Sequence, residues 1–253
     1  MVVGISGKIG SGKDEIGKIL QYLSSTGMYS FKQGLSYKGY LEVYDKREHN
    51  YQIKKYADKL KDMVCLLIGC TREQLEDREF KEKPLGEDWI VHWYKDNKGR
   101  KFLTKTASEA VNHPDRAVAG QDMLTPRLLL QLLGTECGRQ IIHPNIWVNA
   151  LFADYKGKYL GATDDMKEPV EMCFPNWIIT DVRFPNEAKA IKDKGGILIR
   201  INRPQYLDNG LVVRKDEHLS ETSLDDYDKF DHVIENDGTV QDLIDKVKAL
   251  NIV

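Results

Sequence analysis

The chain has 253 residues, a formal net charge of −2, 41% hydrophobic and 30% charged residues. That length buries one sizeable core with room for an inserted subdomain, and the near-neutral balance excludes a broad electrostatic grip on nucleic acid. No apolar run reaches membrane-spanning length, and a strand that begins within two residues of the N-terminus predicts no signal peptide.

Val2 to Ser6 reads as a short buried strand, and Ile16, Ile19, Leu20 and Leu23 recur at helical spacing just after it. Between them, Gly7-Lys8-Ile9-Gly10-Ser11-Gly12-Lys13 has the G-x-x-x-x-G-K spacing of a phosphate-binding loop, with Asp14 where Ser or Thr ordinarily follows. Glycines let such a backbone curl until successive N–H groups point at one anion, and the helix starting near Lys13 adds its positive dipole end. Lys13 then reaches the β- and γ-phosphates as a point charge. Gly7, Lys8, Gly10, Ser11, Gly12, Lys13 and Asp14 are the candidate triphosphate contacts. For Asp14 two roles stay open: a metal- or acceptor-orienting carboxylate, or a favourable charge at a helix N-terminus.

Residues 24–50 are polar and tyrosine-rich and read as loops around short elements, followed by a second strand over Tyr51 to Tyr56. Ala57, Leu60, Met63, Val64, Leu67 and Ile68 predict one helical face closed by Gly69, and Thr71 with Gln74 a capping box for a further short helix. Trp89 to Tyr94 and Lys101 to Thr104 flank Asp96-Asn97-Lys98-Gly99, a hairpin signal within an excursion over 84–120. Thr125 and Pro126 are N-cap and first residue of a strong helix burying Leu128, Leu129, Leu130, Leu132 and Leu133. Asn145 caps the next, and 156–175 reads as a surface loop. Strands at Trp177–Asp181, Ile197–Ile201 and His232–Glu235 then alternate with helices over Asn186–Lys194 and Val240–Leu250. Apolar strands separated by helices predict a parallel sheet covered on both faces.

Ligands of such sheets bind at the carboxyl ends of the strands. Asp181 and Arg183 stand at one, as a magnesium-holding acid and a phosphate-gripping arginine, or as a loop cap beside a surface arginine. Arg127, Gln131, Thr135 and Arg139 recur every four residues beside Gly134 and Gly138, either to read phosphate and base or as a solvated face. Arg200, Arg203, Arg214 and Lys215 form a basic cluster that a mobile segment could bring over a nucleotide, or a solvated loop. His218 reads as plain surface. Cys65, Cys70, Cys137 and Cys173 lack C-x-x-C spacing, which argues against zinc and predicts reduced, mostly buried thiols in a cytoplasm.

The ordered series Gly7 to Asp14, Tyr56 to Lys61, Arg72 to Arg78, Leu132 to Glu136, Ile179 to Glu187 and His218 to Glu221 resembles the bacteriophage deoxynucleoside monophosphate kinases. The resemblance runs from residue 2 to about residue 245 and is weakest at 24–50 and 84–120. It implies a three-layer α/β/α P-loop fold with five parallel strands, an acceptor-binding insertion at 58–150 and a lid at 203–222. It also implies Mg²⁺-dependent transfer of the γ-phosphate of ATP to a deoxynucleoside monophosphate. Lys13, Asp14, Arg183 and Arg214 are then the candidate catalytic residues, Asp14 and Asp181 the metal ligands. Asp58, Arg127, Gln131, Arg139, Trp147 and Arg183 are the candidate acceptor contacts. An Asp after the loop lysine is a mark of those enzymes, but where a Thr or Ser commonly comes next this chain has Glu15. Expected partners are ATP and the deoxynucleotide, without nucleic acid or membrane, with a homodimer left open. A dephospho-coenzyme A kinase or a nucleotide-driven switch of the same fold are the alternatives.

Overall fold

The computed structural model describes residues 1–26, 30–44, 49–160, 171–204 and 222–253. The chain divides into two compact units, one of residues 1–56 and 147–253, the other of residues 57–146.

The first unit opens with β1 (Val2–Gly7), α1 (Lys13–Leu23), α2 (Tyr37–Glu42) and β2 (Gln52–Lys54). The tyrosine-rich stretch after α1 does more than loop. The rings of Phe31, Tyr37 and Tyr40 stand 5.4, 5.3 and 5.3 Å from that of Tyr22, extending the core past the end of α1.

The second unit runs α3 (Asp58–Ile68), α4 (Arg72–Glu76), α5 (Arg78–Glu82), β3 (Ile90–Lys95), β4 (Lys101–Thr104), α6 (Ala107–Asn112), β5 (Val118–Met123) and α7 (Pro126–Gln131), the last continued by a π-helix over Leu132–Ile142. Gly69 ends α3 in the left-handed region, and Thr71 and Gln74 form the expected reciprocal box. The face expected on α3 is only partly buried: Leu60 and Val64 are inside, whereas Met63 and Leu67 are exposed. The hairpin of β3 and β4 is joined by β5, antiparallel to β3, making three strands where two were expected. The leucine-rich helix also differs. Only Leu129 of its five leucines is buried, and past Gln131 the backbone winds with i→i+5 closure, so four-residue spacing no longer marks one α-helical face.

The chain returns with α8 (Ile146–Phe152), β6 (Lys158–Leu160), β7 (Glu171–Cys173), β8 (Trp177–Val182), α9 (Pro185–Lys192), β9 (Ile197–Asn202), β10 (His232–Glu235) and α10 (Val240–Ala249). The expected loop at 156–175 contains an antiparallel pair, β6 with β7. Five strands form one parallel sheet in the order β10-β9-β1-β8-β2. β8 is buried along its whole length, as a central parallel strand covered on both faces must be. Ile16, Ile19 and Leu20 of α1 and Leu243, Ile244 and Val247 of α10 pack with Val3, Ile5 and Ile199 into one cluster. Beside Gly4 stands Ile191 of α9, so near that a Cβ there would lie 2.5 Å from its Cδ1. The rings of Tyr56 and Trp177 both flank Phe152 of α8, at 6.2 and 6.1 Å.

Among the described residues no helix is long and apolar enough to cross a membrane. The four cysteines are free and half-buried, more open than the buried thiols expected.

Candidate active site

The loop between β1 and α1 is shaped by its glycines and fastened to the sheet. Gly10 and Gly12 take φ of 74° and 102°, which side-chain-bearing residues avoid. A Cβ at Gly7 would stand 2.6 Å from the carbonyl oxygen of Ile201, so the approach to β9 demands glycine. Asn236, just past β10, donates through Nδ2 to the Ser11 carbonyl at 2.9 Å. Ser11 is buried, and its hydroxyl has no hydrogen-bond partner among the described residues. Lys13 Nζ donates to the carbonyl oxygens of Gly7 at 2.7 Å and Lys8 at 2.6 Å.

Asp14 follows in the first turn of α1. Its Oδ1 accepts from Thr180 Oγ1 at 2.7 Å and pairs with Lys55 Nζ at 2.9 Å. Desolvation pushes this carboxyl up, but the hydrogen bonds from Thr180 and Lys55, with the charges of Lys55 and Lys13, outweigh it and hold the group below the ordinary aspartate range. Glu15 turns elsewhere: it accepts from Tyr37 Oη at 2.9 Å. Burial first, then the Glu15 charge, push the Tyr37 phenol far up.

At the end of β8, the buried Asp181 accepts the Tyr56 N–H at 2.7 Å, stapling the ends of β2 and β8 together. The backbone N–H groups of Arg183 and Phe184 both donate to Glu187 Oε2, at 2.8 and 3.1 Å, and the Glu187 carbonyl accepts from Tyr56 Oη at 2.9 Å. Beyond β9, Arg203 Nη1 approaches the Gly10 carbonyl at 3.5 Å. Asp225 joins Lys8 and Arg200, each at 2.9 Å.

In the 57–146 unit the candidate acceptor residues hold partners of their own. Asp58 accepts from Arg72 Nη2 at 3.1 Å, Arg127 pairs with Glu82, and Arg139 Nη1 donates to the Gly134 carbonyl at 3.2 Å. Gln131 is half-buried at the end of α7. The close neighbour expected at Gly134 is the Leu60 side chain, 2.9 Å from where a Cβ would be. Trp147, in the first unit, is 5% exposed. Arg214, Lys215, His218 and nearly all of the 203–222 segment lie outside the described residues.

Sequence reading missed Lys55, Asn236 and Asp225, and it placed Tyr56, Thr180 and Glu187 inside the family-like motifs without assigning them a role. Asn236 directly follows the expected strand His232–Glu235, so the carboxyl-end rule already pointed at it, whereas Lys55 falls inside the strand expected over Tyr51 to Tyr56 and comes after β2 only in the structure. Thr180 stands out only as part of the Ile179 to Glu187 motif, since a threonine inside an apolar strand otherwise reads as sheet filling.

The oxygens of Asp14 and Asp181 suit a hard cation. Among the described residues, no three His, Cys, Asp or Glu side chains gather into a metal cage. The donor set fits Mg²⁺ arriving on a nucleotide, held mostly by phosphate and water with one or two carboxylates.

A phosphate loop closing the first strand of a five-stranded parallel sheet, with the acid Asp181 at the end of the neighbouring strand β8, defines a P-loop nucleotide-binding protein. The profile of the deoxynucleotide monophosphate kinase family matches residues 1–247, and the chain belongs to that family. It is 24% identical over 213 residues to the deoxynucleoside-5'-monophosphate kinase of Escherichia phage T5, covering 76% of this chain and 72% of that one. It is 29% identical over 128 residues to the deoxynucleotide monophosphate kinase of Enterobacteria phage T4, covering 51% and 46%. A protein of Acanthamoeba polyphaga mimivirus assigned the same activity is 32% identical over 130 residues, 49% and 59% of the two chains. The chain thus spans less than two thirds of the mimivirus and T4 proteins.

Proposed function

We propose that this chain transfers the γ-phosphate of ATP to a deoxynucleoside monophosphate, giving the diphosphate and ADP, in the cytoplasm of an infected host. The observation that carries the reading is the P-loop of β1 and α1, with Lys13 inside its curl, in a chain of this family. An acceptor phosphate oxygen bonds to the γ-phosphorus as the bond to the β-bridging oxygen breaks. No protein nucleophile is needed, and positioning and charge neutralisation carry the rate.

In this reading the loop N–H groups and Lys13 hold the β- and γ-phosphates. Asp14 and Asp181 would hold Mg²⁺, which supplies neutralisation of the developing phosphate charge when bound. Residues 58–150 are the acceptor-binding insertion, with Asp58, Arg127, Gln131, Arg139 and Trp147 as its contacts. For Arg127 this requires exchanging Glu82 for the incoming phosphate. Arg183 and Arg214 complete the phosphate-binding set, the latter from a lid at 203–222. The test is a coupled ADP-release assay with Mg-ATP against ribo- and deoxynucleoside monophosphates. Release that depends on a deoxynucleotide supports the reading; release without acceptor makes the chain an ATPase, and activity with none overturns it.

A further inference from the structure

A carboxylate in the first turn after a P-loop lysine presents a physical problem: it stands where a triphosphate is to bind, and like charges at such separations repel. The structure answers it within the chain. Lys55 leaves the end of β2 and meets Asp14 Oδ1 at 2.9 Å, while Thr180 Oγ1 donates to the same oxygen at 2.7 Å. Lys13 gives hydrogen bonds to Gly7 and Lys8 and adds its charge near Asp14, while a second ammonium is placed on Asp14 Oδ1 by a residue 41 positions further along. Lys55 is itself held in place from two sides. Gln52, Ile53 and Lys54 pair with Trp177, Ile178 and Ile179, and the next N–H, of Tyr56, is tied to Asp181 at 2.7 Å. A lysine between two such anchors is delivered to one spot rather than left to wander on a loop.

We propose that Lys55 is a nucleotide-site residue: a built-in counter-ion, positioned by the β2 pairing and the Tyr56–Asp181 hydrogen bond, that offsets the Asp14 carboxylate and so admits the phosphates of the nucleotide beside it. This rests on the phosphate-donor reading of the loop, but not on which acceptor is used. Lys55 acts here on binding and positioning, so its mark is nucleotide affinity rather than chemistry alone. The dependence also runs one way. Without Asp14 there is little for Lys55 to offset, whereas without Lys55 the carboxylate keeps only the Thr180 hydrogen bond and the more distant Lys13 charge.

The experiment is a cycle of Lys55→Met, Asp14→Asn and the double variant, with Lys55→Arg as the conservative partner. It reads ADP affinity by calorimetry in EDTA and again in Mg²⁺, beside thermal melts and steady-state kinetics. Lys55→Met weakens metal-free ADP binding about tenfold, and Lys55→Arg keeps it within roughly threefold. In the double variant most of the loss disappears, because the amide oxygen that replaces the carboxylate keeps the bond to Thr180 without the charge. In kinetics, Lys55→Met raises the KM for ATP more than it lowers kcat. Wild-type ADP affinity in Lys55→Met, or a double variant as weak as Lys55→Met, overturns the proposal. Should Lys55→Met fail to fold, Asp14→Asn against the double variant decides: a tenfold difference between those two overturns it equally. A protein that shows the coupling yet phosphorylates no nucleotide sinks the kinase reading and leaves Lys55 in its role. Turnover without the coupling does the reverse.

Discussion

Lys13 bonds the carbonyl of Gly7, at 2.7 Å, six residues back along its own loop. The ammonium therefore occupies the curl that a β-phosphate would fill, and nucleotide binding exchanges two carbonyl partners for phosphate oxygens. Lys13→Ala is expected to lower kcat about a thousandfold or more, while the far-ultraviolet circular dichroism stays that of the wild type. Near-normal turnover in that variant would remove the loop from the chemistry.

Gly7→Ala places a methyl group 2.6 Å from a backbone carbonyl of β9, which no rotamer can relieve. The loop must lift off the sheet, so ATP binding measured by calorimetry is expected to fall about tenfold or more and stability by about 1–3 kcal/mol. Unchanged affinity would show that the contact with β9 does not set the loop.

Glu187 is 1% exposed and receives two backbone N–H groups on one oxygen. Glu187→Ala strands both donors at the start of α9 and is expected to cost about 2–4 kcal/mol in urea unfolding. Glu187→Gln, which keeps an acceptor, costs less. Equal midpoints for the wild type and the Ala variant would contradict this.

Asp225 links Lys8 of the loop to Arg200 of β9. Burial opposes its ionisation, but hydrogen bonds and charges from Lys8 and Arg200 prevail and lower its carboxyl below 3.8. A carboxyl lowered on folding contributes its stability above its unfolded value and loses it as pH falls through the lower folded one. Asp225→Asn is therefore expected to lower stability near neutrality, with a gap that starts to close only as pH falls past the unfolded value of about 3.9 and vanishes below the lower folded one. Equal stability of the two proteins near neutrality, or a gap that closes already well above the unfolded value, would deny the ion pairs their role.

Legibility followed the range of the interactions. The Thr71–Gln74 box and the Asp96–Gly99 turn close within four residues, and both were readable from sequence. β5 was not: its Val-Ala-Gly-Gln-Asp-Met sequence alternates poorly, and Gly120 is there to pass under the Trp93 ring, 2.6 Å from where a Cβ would be. The π winding after Gln131 was hidden because leucines on every side mask the period. At the candidate site, the loop itself was legible, whereas Asp14's partners were not. Thr180 lies 166 residues away, and only the sheet order brings it there.

The chain leaves the first unit just after Tyr56 and returns at Trp147, and the rings of Tyr56 and Phe152 stand 6.2 Å apart. Departure and return are thus neighbours, and the sheet closes its strand order without borrowing a strand from the intervening segment. The 57–146 segment is topologically a plug-in. Lineages can lengthen, shorten or replace it without re-registering a single pair of the parallel sheet. Differences in length among relatives are then expected to concentrate there, leaving the phosphate loop's foundation untouched.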